Sequence, residues 1–129
     1  MRKTFFFFFF LLSIIFFITA CSETPLSSVD FEGRSYIQKL TIEGFCDNGV
    51  YIDIPMNCSN SITFMKDGEA HLREDDQITI GTFIISHNMT TSATEIIYID
   101  DFMNRTLTFH SQNLDAIYDS LNNKWDHQE

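Results

Sequence analysis

Two hydrophobic patterns divide the chain. From Phe5 to Ile18 the residues are apolar except for Ser13, a run of 14 without any period. From Ser35 onward, apolar and polar residues alternate in short stretches broken by Gly, Asn, Asp and Pro. A period of two puts successive side chains on opposite faces of a strand. It predicts strands over Ser35–Cys46, Tyr51–Ile54, Ser61–Met65 and a return stretch through Ala70 and Leu72. Further strands are predicted over Ile78–Ser86, Thr94–Ile99 and Arg105–His110. Asp47-Asn48-Gly49 and Lys66-Asp67-Gly68-Glu69 read as turns, because Asn, Asp and Gly accept positive φ. Pro55 cannot donate to a ladder and ends the strand before it, and Arg73–Gln77 reads as a charged loop. Short strands separated by turn signals predict an all-β barrel or sandwich.

The tail breaks this period. In Asn113–Leu121, Leu114, Ile117, Tyr118 and Leu121 fall at helical spacing, with Asn113 as N-cap and Asp115 in the first turn. A short C-terminal helix is therefore expected to pack on the sheet, with Trp125 covering its end.

The opening segment has the order of an export signal: Arg2 and Lys3, then the apolar run, then Ile18-Thr19-Ala20-Cys21. The run is shorter than the ~20 residues a membrane-spanning helix needs. The four residues resemble the lipobox of bacterial lipoproteins. That resemblance implies a diacylglycerol on the Cys21 thiol, cleavage before Cys21 and acylation of the new amino group, palmitate being a typical chain. It divides the chain into a signal peptide (1–20), a lipidated Cys and tether (21–30), and a barrel domain with its C-terminal helix (31–129). Ser22 after the Cys implies the outer membrane of a bacterial cell envelope. The alternatives are an uncleaved anchor and a secretory signal cut after Ala20.

Charge narrows the partners. Without Arg2 and Lys3, 6 basic residues face 18 acidic ones, a net −12. Such a balance disfavours nucleic acid and anionic lipid surfaces. It favours solubility or a cationic partner. Cys46 and Cys58 can pair as a disulfide in an exported protein; two reduced thiols are the alternative.

Cys58–Leu72, Gly81–Ser86 and Glu95–Phe109 resemble the lipocalin-like domains of small bacterial lipoproteins. The resemblance implies a small antiparallel up-and-down barrel. Lipocalins open on Gly-x-Trp; here Gly33-Arg34-Ser35-Tyr36 lacks the Trp, leaving Tyr36 as a candidate floor plug. Phe45, Tyr51, Phe64, Phe83, Tyr98, Phe102 and Phe109 are available to fill the interior. Of these, Phe64, Phe83, Tyr98 and Phe109 are the candidate lining of a ligand cavity.

Catalytic signatures are missing. His71, His87, His110 and His127 are scattered, so no metal or other cofactor is expected. Asp75-Asp76 and Asp100-Asp101 are neighbours that point to opposite faces of a strand and make no acid/base dyad. There is no nucleophile elbow or phosphate loop. The expected protein is a non-enzymatic, lipid-anchored, lipocalin-like envelope protein that binds a small apolar molecule or serves as an accessory. The alternative is an acidic interaction protein that binds a cationic protein such as a lysozyme, through a carboxylate-rich loop over Glu69–Asp76. The Ser-Gly-x-x-Tyr stretch of membrane-bound lysozyme inhibitors is not found.

Overall fold

The computed structural model describes residues 24–52 and 56–129. The predicted signal, Cys21 and Pro55 lie outside the described residues. A four-residue helix, α1 (Ser28–Phe31), leads into β1 (Ser35–Lys39). An excursion follows, carrying β2 (Cys46–Asp47) and β3 (Val50–Tyr51). Then come β4 (Ser59–Phe64), β5 (Glu69–Glu74), β6 (Gln77–His87), β7 (Thr94–Asp100), β8 (Arg105–Ser111), β9 (Ala116–Asp119) and β10 (Lys124–Gln128).

Eight of these strands close into an antiparallel barrel, in the order β1-β10-β9-β8-β7-β6-β5-β4 and back to β1. Each barrel strand pairs with its neighbours in sequence, and β1 joins both β4 (Ser35↔Thr63) and β10 (Ser35↔Gln128). The meander gives the barrel two ends. At the near end lie α1, the turns at 65–68 and 88–93, and the loop at 112–115. At the far end lie the excursion, described over 40–52 and 56–58, and the turns at 75–76, 101–104 and 120–123.

Alternation sets the core. Tyr36, Ile62, Phe64, Ala70, Leu72, Ile96, Tyr98 and Ile117 are wholly buried, while their sequence neighbours are more exposed, the exception being Ala116 beside Ile117, which is buried as well. Burying one such large apolar side chain stabilises the fold by ~1.5–3 kcal/mol. The near end is sealed from the same stock. The Asp30 carboxylate accepts from the Ser27 N–H (2.7 Å) and hydroxyl (2.8 Å), fixing α1. Phe31 is then inserted edge-on to Phe64, with centroids 5.8 Å apart. Tyr36 packs edge-on to Phe64 at 5.9 Å, and its hydroxyl donates to the Leu114 carbonyl at 3.0 Å. Burial pushes the Tyr36 phenol up to about 12. Leu26, in the segment expected as a tether, packs against the core as well.

Five sequence expectations are corrected. The helix over Asn113–Leu121 does not form: Ala116–Asp119 is strand β9, and Trp125 is a buried residue of β10. A helix this short has little stability of its own, and β9 supplies ladder partners to β8 and β10 that would otherwise be lost. The first strand stops at Lys39, where turns around Ile42–Cys46 begin, with Gly44 at φ +79°. Arg73–Gln77 is not a loop, because β5 and β6 run through it to a two-residue turn at Asp75-Asp76. Glu69–Asp76 is accordingly not a carboxylate-rich loop: Glu69 bonds His71 near one end of β5, and Glu74 faces the barrel interior at the other. Phe45, Tyr51 and Phe102 do not fill the interior; they are exposed at the far end.

Candidate functional site: the far rim of the barrel

The four predicted lining residues are all buried in one apolar cluster. Phe64 and Phe83 lie with centroids 4.8 Å apart, and Phe109 meets Trp125 edge-on at 5.3 Å. The Tyr98 ring lies across Gly81, and its hydroxyl sits 3.1 Å from the Thr79 hydroxyl. Burial raises the Tyr98 phenol, helped by the Asp100 and Glu74 carboxylates; Thr79 and Arg105 act in the opposite sense. These rings are packed against protein.

Polar side chains replace aromatics toward the far end. Alternation carries the inward face from Leu72 to Glu74, from Tyr98 to Asp100, from Phe109 to Arg105 and from Ile117 to Asp119. Arg105 Nη1 lies 2.6 Å from Glu74 Oε2. Asp100 is the cross-strand partner of Arg105 in the register and is 1% exposed. Its Oδ1 accepts from the Met103 N–H at 3.0 Å, whereas its Oδ2 has no partner. Asp119 accepts from the Leu121 and Asn123 N–H groups, the Asn123 amide and the Trp125 indole, at 2.9–3.2 Å. Burial alone would raise the Asp119 carboxyl; these hydrogen bonds outweigh it and hold it below the usual range.

The connections around this mouth are apolar and acidic together. Phe102 is 93% exposed, Leu121 82%, Tyr51 54% and Phe45 47%. The described loop residues here include Glu43, Asp47, Asp75, Asp76 and Asp101, and among them no Lys or Arg. A disulfide joins Cys46 to Cys58, with Cα atoms 5.6 Å apart and both residues buried. It pins the excursion to the foot of β4. Lipidation at Cys21 falls outside the described residues. Among the described residues no three His, Cys, Asp or Glu converge on a metal site.

Sequence reasoning missed this rim. Asp101-Phe102-Met103-Asn104 carried a turn signal in its Asp and Asn, and Asn104 does take φ +48°. An apolar pair inside such a turn is forced outward. The grouping of Glu74, Asp100 and Arg105 had no local signal, since it depends on the barrel register. No protein-family model, curated protein or solved structure matches the chain.

Proposed function

We propose that the protein is a lipid-anchored, non-enzymatic binding protein of the bacterial cell envelope, a lipocalin-like barrel whose far rim receives a cationic protein. The observation that carries this reading is the opposition of the two ends. Thr24, Pro25 and Leu26 run along the near end beside the 88–93 and 112–115 connections. Cys21 precedes Thr24 by three residues, which span at most about 11 Å. A lipid on Cys21 therefore holds the plugged end against the membrane and turns the far rim to the aqueous phase. Two or more acyl chains, at ~0.8 kcal/mol per buried CH₂, give stable anchoring.

Two features favour a protein partner over a small apolar ligand. The aromatics that would line a cavity are engaged with one another. The exposed Phe and Tyr side chains instead stand on the rim among carboxylates, where apolar contact gives affinity and charge gives selectivity and rate.

Expression of the full chain with Cys21→Ser tests the anchor. The expected result is loss of the acyl mass and transfer from the membrane to the soluble fraction; retention of both in the variant would refute lipidation at this residue. Native mass spectrometry of Ser22–Glu129 tests the partner class. The bare mass is expected, and a co-purified small molecule would return the reading to an interior ligand.

A further inference from the structure

We infer that the groove between the start of β6 and the β7–β8 turn is an anchor pocket for one Lys or Arg side chain of the partner, flanked in that partner by apolar residues. The inference rests on the protein-binding reading above and assigns its contact point. The groove has a volume of about 540 Å³ and is lined by Gln77, Ile78, Thr79, Ile80, Asp100, Phe102 and Met103. Its walls are apolar and open to solvent: Ile78 is 64% exposed, Ile80 59% and Met103 58%. Gln77 and Thr79 add polar groups, and its charged feature is Asp100, buried and with Oδ2 unpartnered. Arg105, the residue opposite in the register, gives its Nη1 to Glu74 and no hydrogen bond to Asp100, although its own buried Nε has no partner either.

A buried carboxylate oxygen without a donor is costly, and a donor brought by a partner removes that cost. Among protein side chains, Lys and Arg fit both parts of the groove. Their aliphatic stems cover Ile78, Ile80 and Met103, their charged heads reach the carboxylate, and the Phe102 face attracts a cation. A hard metal ion needs several oxygen ligands, which these apolar walls do not offer. An anionic lipid surface would be repelled by the rim carboxylates.

The test uses purified Ser22–Glu129 and three synthetic peptides: one alternating Leu and Lys, one with Glu in place of Lys, and one with Ser in place of Leu. Affinity is read by calorimetry and location by amide chemical shifts, at about 0.15 M salt, where screening acts beyond ~8 Å. The Leu/Lys peptide is expected to bind and to shift residues 77–80 and 100–103, and the other two to bind weakly or not at all. Asp100→Asn keeps the acceptor for the Met103 N–H, and Phe102→Ser alters a fully exposed side chain. Each is expected to weaken binding ~10-fold or more, the size of a contact hot spot. Asp115→Asn, which removes one charge at the near end, is expected to leave affinity unchanged.

An equal fall in all three variants would mean diffuse attraction and overturn the pocket. So would shifts confined to the near end, failure of the peptide to bind, or self-association through this face in sedimentation. Shifts on the rim at Phe45 and Tyr51 that spare the groove would overturn the pocket while sparing the partner reading.

Discussion

Tyr98 and Gly81 show how tightly single residues are set. A Cβ on Gly81 would come within 2.7 Å of the Tyr98 ring and closer still to the Ile99 carbonyl, on the strand paired with β6. The glycine is there because the aromatic needs the floor of its pleat. Gly81→Ala is expected to lower stability by ~1–3 kcal/mol through overpacking. In a domain this size that is a fall in Tm of ~4–8 °C per kcal/mol, measured by thermal circular dichroism; an unchanged Tm would mean that the Ile99 carbonyl and the Tyr98 ring both give way without cost. Asp119 makes a second residue-scale prediction. Its carboxyl is held below the ~3.9 of an unfolded Asp, so the folded state binds fewer protons there. The stability this contributes is present above that value and is lost as pH falls through the lower folded value. Asp119→Asn should lower stability at neutral pH and flatten its decline below pH ~4, as read from urea unfolding across that range. A parallel shift at every pH would refute the assignment.

Among the elements, the excursion depends most on covalent help. β2 and β3 share only two residue pairs, Cys46↔Tyr51 and Asp47↔Val50, and a two-stranded hairpin is marginal in water. The Cys46–Cys58 link, 12 residues apart in sequence, ties it to the barrel. Closing a loop of this size stabilises by ~2–3 kcal/mol in the chain-entropy model. The double variant Cys46→Ser, Cys58→Ser is expected to lose about that much in denaturant titration while keeping its far-ultraviolet spectrum, because the barrel ladder closes without β2 and β3. Collapse of the spectrum would show that the excursion helps to hold the barrel. The elements also separate legible from illegible sequence. Thr94–Asp100 alternates through Ile96 and Tyr98, and Lys66-Asp67-Gly68 turns with Asp67 at φ +63° and Gly68 at +78°, as their residues predict. β9 is different. Leu114, Ile117, Tyr118 and Leu121 satisfy helical spacing, yet only Ile117 is fully buried, and Leu121 is exposed. Local periodicity in so short a stretch lost to the demand of β8 and β10 for a neighbour.

At the scale of the whole molecule, closure depends on the two ends of the chain. β10 lies between β9 and β1 and brings Trp125 onto Phe109. Removing residues 124–129 would leave β1 and β9 as open edges and expose the core at once. The truncated chain is expected to lose its cooperative thermal transition; a retained sharp transition would show that the remaining seven strands suffice. What the sequence alone determined is what short-range chemistry can carry: an apolar opening run distinct from the rest, strands with an apolar face, turns at Asn, Asp and Gly, and an acidic composition. Only the tertiary structure decided that the strands close, that β9 and β10 complete the wall, that Phe102 points to water while Phe109 does not, and that Arg105 meets Glu74 while Asp100, its register partner, keeps a buried oxygen free. Each of these depends on which strand lies beside which. A pairing such as Ser35↔Gln128 is set by the total burial and ladder bonding of the barrel and by no window of neighbouring residues.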